Sequence, residues 1–205
     1  MSNVIDPLNP PCMPKTVKSL AFITIMAFLF SYSSAQLKFP VVNGIGSDLK
    51  KVIEDYPSGF SHLLGEVIIQ NPQSTDYQCN FKVKDAEETT ITRYTAKKEA
   101  VYSWNAVMLT TENFEKAKQK FRSLYNQINN LVINPGGMHL KGTYESPVEE
   151  KKFASVLFSL QPPAGTMKKL KIEISLVYEL MEWKIKLLVY DRQKEDNERG
   201  KTVEE

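Results

Sequence analysis

Two histidines, His62 and His139, and two cysteines, Cys12 and Cys79, are the side chains of this 205-residue chain suited to nucleophilic or metal chemistry. A Cys–His nucleophile needs a thiolate beside an imidazole base. Cys79 instead alternates in phase with Tyr77, Phe81 and Val83, the pattern of a small apolar residue on a strand's inner face, where a thiol is inert. His62 lies in Ser-His-Leu-Leu and His139 in Met-His-Leu. Neither has a His, Cys or carboxylate at metal-ligand spacing, so no metal and no cofactor is expected. The sequence carries no G-x-S-x-G elbow, P-loop or G-x-G-x-x-G, and Gly136-Gly137 follows a helical pattern rather than opening one, which makes it a terminator and not a phosphate cradle. No catalytic residue is assigned on this basis.

The residues with binding chemistry are the two tryptophans. Trp104 and Trp183 occupy matching places in two similarly ordered halves, and a pair of indoles flanking a groove on a sheet face free of helices would hold an apolar, sugar or peptide ligand by stacking. The competing reading is burial: Trp104 is in phase with Ala106 and Met108, and Trp183 with Ile185, Leu187 and Val189. Large apolar residues in register with a core stripe are usually core.

Charge narrows the partners. With 26 basic and 24 acidic side chains the net charge is +2, which argues against a nucleic-acid binder. Lys116, Lys118, Lys120 and Arg122 form a tempting basic row. At about 100° per residue, however, every second position flanks the apolar stripe on both sides instead of making one basic face.

The elements that must position these residues follow from periodicity. Leu49, Val52, Ile53 and Tyr56 mark a short helix with Ser47 as N-cap and Pro57 as stop. Strands are expected at Val67–Ile69, Tyr77–Val83, Thr89–Thr95 and Tyr102–Met108. Thr111 is the expected cap of a second helix with Phe114, Ala117, Phe121, Leu124, Tyr125, Ile128 and Leu131 on one stripe, ending at Asn134-Pro135-Gly136-Gly137. Four more strands are expected at Met138–Glu145, Phe153–Leu160, Leu170–Tyr178 and Trp183–Tyr190. Glu179–Glu182 holds no Gly, Pro or Asn, so the last two strands read equally as one long bent strand. The order, a helix and four strands twice over, with Leu64-Gly65, Asn71-Pro72 and Trp104 echoed about 75–79 residues later by Lys141-Gly142, Ser146-Pro147 and Trp183, suggests an internal duplication.

The N-terminal region reads as an export signal. Lys15 and Lys18 precede the 11-residue apolar run Leu20–Phe30, and Ser33 and Ala35 supply small residues at −3 and −1 of a cleavage site before Gln36. The run falls short of the roughly 20 apolar residues that span a bilayer, so a cleaved product without a membrane span is expected. Residues 1–12 carry Asp6 and three prolines and fit poorly as a signal start, whereas Met13 opens a conventional one. Cleavage removes Cys12 and leaves Cys79 alone, so stability must come from the core and not from an internal disulfide.

The stretches MLTTENFEKAKQKFRSLYNQINNL (108–131) and NPQSTDYQC (71–79) resemble uncharacterised exported proteins of Bacteroidetes bacteria, over most of the mature chain. The resemblance implies export and carries no activity. The expected architecture is α+β, an antiparallel sheet with two helices packed on one face, as a single domain over 36–192 with candidate repeats 47–110 and 111–192 and a polar tail over 193–205. The expected function is a non-catalytic exported protein, periplasmic or secreted, that binds a small ligand or a protein partner; the alternative is a hydrolase with an unrecognised active site.

Overall fold

A computed structural model describes residues 44–95, 100–133, 137–163 and 165–191, all within one compact unit. The expected signal, the Ala35–Gln36 cleavage site and the tail over 193–205 lie outside the described residues.

Helix α1 (Ile45–Asp55) forms around a stripe of Ile45, Leu49, Val52 and Ile53, all buried. Ser47 is not its N-cap. The chain enters through Gly44 in extended conformation, and the Ser47 hydroxyl donates to the Gly44 carbonyl at 3.1 Å from inside the first turn. Ile45 explains the difference, since it extends the buried stripe one turn upstream of Leu49. The helix gives way to a tight 3-10 turn over Tyr56–Ser58, where Pro57 ends the α pattern, and then to Gly59 and Phe60, both at positive φ.

Helix α2 (Phe114–Ile128) buries Phe114, Ala117, Phe121, Leu124 and Ile128. Its N-cap is Asn113, whose side chain accepts from the Lys116 amide at 2.9 Å. Thr111 belongs instead to the preceding strand. The helix also stops earlier than the stripe suggested: Asn129 is the C-cap and Asn130 takes φ 70°, a left-handed conformation that asparagine tolerates. Lys118 places its ammonium 5.5 Å from the Phe114 ring centre, the flanking role expected of a lysine beside an apolar stripe.

Nine strands make one antiparallel sheet: β1 (Leu64–Gln70), β2 (Ser74–Cys79), β3 (Glu88–Tyr94), β4 (Val101–Thr111), β5 (Val132–Ile133), β6 (Met138–Gly142), β7 (Phe153–Gln161), β8 (Leu170–Glu179) and β9 (Glu182–Asp191). The spatial order is β1-β2-β3-β4-β9-β8-β7-β6-β5. Consecutive strands are neighbours within β1–β4 and within β5–β9, whereas β4 and β5, separated in sequence by α2, lie apart; β4 and β9, the last strands of the two sequence halves, meet in the middle. The molecule is α+β and mostly sheet.

Alternation puts Ile91, Trp104, Ala106, Ile172, Ile174, Leu176, Ile185, Leu187 and Val189 in the core with the buried residues of both helices. Helix α2 lies against β4, β8 and β9, and α1 touches α2. The inter-strand register aligns this set: Ile91 faces Trp104, Trp104 faces Val189, and Val189 faces Ile172. Glu179–Glu182 is a true hairpin turn, not the middle of one bent strand. Glu179 pairs with Glu182, and Leu180 and Met181 both sit at positive φ between them.

Candidate functional site

The two tryptophans do not line an open groove. Trp104 is fully buried and Trp183 is 3% exposed. Trp183 packs its ring against Phe114 and Tyr178, with centroids 4.9 Å away in each case. The phase that places Trp104 with Ala106 and Trp183 with Ile185 sends both indoles to the core side of the sheet, and burial wins. The half-buried Cys79 thiol donates to the Phe81 carbonyl at 3.1 Å. His139 stands exposed on β6, paired with Val132 and Gln161. Among the described residues no three His, Cys, Asp or Glu side chains converge to hold a metal ion.

A cavity of about 580 Å3 opens instead at one end of the sheet, where β4 begins and β9 ends. The exit of α1 supplies Tyr56, Gly59 and Phe60, and β4 supplies Tyr102. The 3-10 turn Gly165–Lys169 supplies Lys168 and Lys169, both exposed. These residues converge for local reasons. Gly59 takes φ 64° to turn the chain, and a β-carbon there would lie 3.0 Å from the Tyr102 ring, so glycine lets the ring lie against the turn. Phe60, fully buried, anchors the turn in the core. The Tyr56 hydroxyl donates to Asp191 Oδ2 at 2.8 Å, tying the α1 exit to the end of β9 across 135 residues of sequence. Burial raises the pKa of the Tyr56 phenol, and the hydrogen bond and charge of Asp191 raise it further.

Behind this wall stands a polar cluster. Asp55 Oδ1 accepts from the Ser58 hydroxyl and contacts His62 Nδ1, each at 2.5 Å, while Asp55 Oδ2 accepts from the His62 backbone amide at 3.1 Å. Burial pushes the Asp55 carboxyl up, but the hydrogen bonds from Ser58 and His62 and the adjacent imidazole outweigh burial and hold it below its ordinary value of 3.8. Serine, histidine and aspartate are all present, yet the order is wrong for nucleophilic catalysis. That chemistry needs the imidazole between hydroxyl and carboxylate; here the carboxylate lies between the other two. The cluster ties down the turn that shapes the cavity, and the 80%-exposed His62 side chain leaves the rest of its ring to solvent.

No family model, no curated protein and no solved structure matches the chain. The sequence did not reveal the cavity, because its walls come from four separated segments and none carries a motif. One local signal was available: Tyr56-Pro57-Ser58-Gly59 is a helix stop followed by a left-handed residue, and such a turn leaves side chains free to line a cleft.

Proposed function

We propose that the chain is an exported, non-catalytic binding protein that holds a small ligand or a segment of a protein partner in the cavity at the sheet end. The observation that carries this reading is the cavity itself, whose volume of about 580 Å3 falls in the range of small-ligand sites. Tyr56 and Tyr102 offer aromatic area, and Ser58, Thr166, Lys168 and Lys169 offer polar groups that would orient a ligand. Export is supported by Lys15 and Lys18, the run Leu20–Phe30 and the small residues Ser33 and Ala35, and by the resemblance to exported Bacteroidetes proteins. Both point to a periplasmic or secreted protein that begins at Gln36.

We also read the fold as a duplicated helix-plus-four-strand unit with both helices on one sheet face. The β4–β9 register supports this. A half-turn about the Val107–Lys186 pair exchanges Trp104–Val189 with Trp183–Thr111, and Ala106–Leu187 with Leu109–Ile185; the irregularity between Val107 and Leu109 absorbs the one-residue difference. The two tryptophans then mark equivalent core positions.

Two measurements test the function. N-terminal sequencing of the exported protein should begin at Gln36, and a chain retaining Leu20–Phe30 contradicts the export reading. Native mass spectrometry should show a bound small molecule that is absent from Gly59→Val, which pushes the Tyr102 ring toward the cavity; a bound mass that persists in the variant places binding elsewhere. The alternative is a hydrolase with an unrecognised active site, and saturable, multiple-turnover hydrolysis of an ester, peptide or glycoside substrate by the purified protein would favour it.

A further inference from the structure

The β8–β9 hairpin turns through only two residues, Leu180 and Met181, with φ of 52° and 69°. Asn-Gly is the usual filling of such a turn, because a β-carbon is strained in the left-handed region. Both side chains are also far out in solvent, 86% and 79% exposed. A hairpin that needed only to reverse direction would carry neither leucine nor methionine there, so strain and exposure together point to a role for the side chains themselves. The stem beneath is well braced. Tyr178 and Trp183 pack at 4.9 Å, and Lys186 donates to both carboxylate oxygens of Glu179 at 3.0 and 3.1 Å.

The other end of the same hairpin reaches the cavity, where Asp191, paired with Leu170, forms part of the wall. At about 3.3–3.4 Å per residue the ten-residue strands hold tip and cavity roughly 30 Å apart, so the tip cannot enter the cavity of its own chain. We propose that the Leu180–Met181 tip of one copy inserts into the sheet-end cavity of a second copy. The two surfaces complement each other. The tip is apolar and carries Glu182 beside it, Glu179 being paired with Lys186 and Lys184; the cavity offers the half-buried Tyr56 and Tyr102 rings and carries Lys168 and Lys169. Donor and acceptor patches differ, so the contact is head-to-tail and leaves a free tip on one copy and a free cavity on the other. This inference rests on the cavity being a binding site and names its partner.

Sedimentation velocity on the exported protein, dialysed free of small molecules, tests it. The wild type should associate as concentration rises, with a dissociation constant of roughly micromolar to millimolar order. Leu180→Asn with Met181→Gly suits the turn and should sediment as a monomer, as should Lys168→Glu with Lys169→Glu. Mixed together, the two variants retain one intact tip and one intact cavity between them, and should form a one-to-one dimer and nothing longer. A wild type that stays monomeric to about 1 mM, a tip variant that still associates, or a mixture without dimer overturns the pairing. If the wild type is monomeric while native mass spectrometry still finds a small molecule lost in Gly59→Val, the cavity reading stands and the self-pairing alone falls.

Discussion

Asp55 is a buried carboxylate that accepts from a hydroxyl and a backbone amide and also contacts the His62 imidazole, and its charge is therefore part of the fold. With its folded pKa held below 3.8, the stabilisation is fully present above that value and is lost as the pH falls through the lower folded value. Asp55→Asn should accordingly flatten the acid limb of stability, followed by circular dichroism from neutral pH downward, and an unchanged limb would mean the cluster does not bear on folding. Tyr56 behaves in the opposite sense. Its folded pKa is raised above the ordinary 10.0, so its contribution holds below pH 10 and fades as the pH climbs beyond it. Tyr56→Phe should remove that alkaline dependence and, by releasing Asp191, loosen the cavity wall. The indoles give a third check at this scale. Trp104 and Trp183 are sealed in the core, so each single-Trp variant should emit to the blue and resist acrylamide; red-shifted, quenchable emission would contradict the packing described.

At the scale of elements, α2 is held to the sheet by its stripe and not by its charges. Phe121 is fully buried, whereas Lys120 is half-buried beside the stripe. Phe121→Ala should cost about 3–5 kcal/mol and Lys120→Ala less than about 0.5 kcal/mol, measured by urea unfolding. The β8–β9 turn makes an opposite prediction. Replacing Leu180-Met181 by Asn-Gly should stabilise the protein by about 1 kcal/mol through relief of left-handed strain, visible as a raised melting temperature; a loss of stability would mean that the apolar pair supports the hairpin. That turn was illegible in the sequence because its residues contradict its backbone. The strands were legible, because Leu170, Ile172, Ile174 and Leu176 announce one buried face by simple alternation. The helix ends were less so. Ile45 and the Asn129-Asn130 pair override the more conspicuous Ser47 and Asn134-Pro135-Gly136-Gly137, since an extra buried residue or a tolerant left-handed one sets the boundary before the strong breaker is reached.

Across the whole molecule, the two halves meet at β4 and β9 and present different chemistry at the two ends of the β8–β9 hairpin, a cavity at one and an apolar tip at the other. The tryptophans that looked like binding residues instead secure the core. The cavity is assembled only when Tyr56, Tyr102, Lys168 and Asp191 come together in space, which no stretch of sequence could display. The claim that this cavity is the binding site is tested most directly by backbone amide chemical-shift mapping of the protein against a library of small carboxylates, sugars, amino acids and short peptides. The account predicts saturable shifts concentrated at Gly59, Phe60, Tyr102, Thr166 and Lys168, with none at Trp104 or Trp183 beyond those that follow from the cavity. Shifts clustered on any other surface, or no shift at the cavity across the whole library, would contradict it.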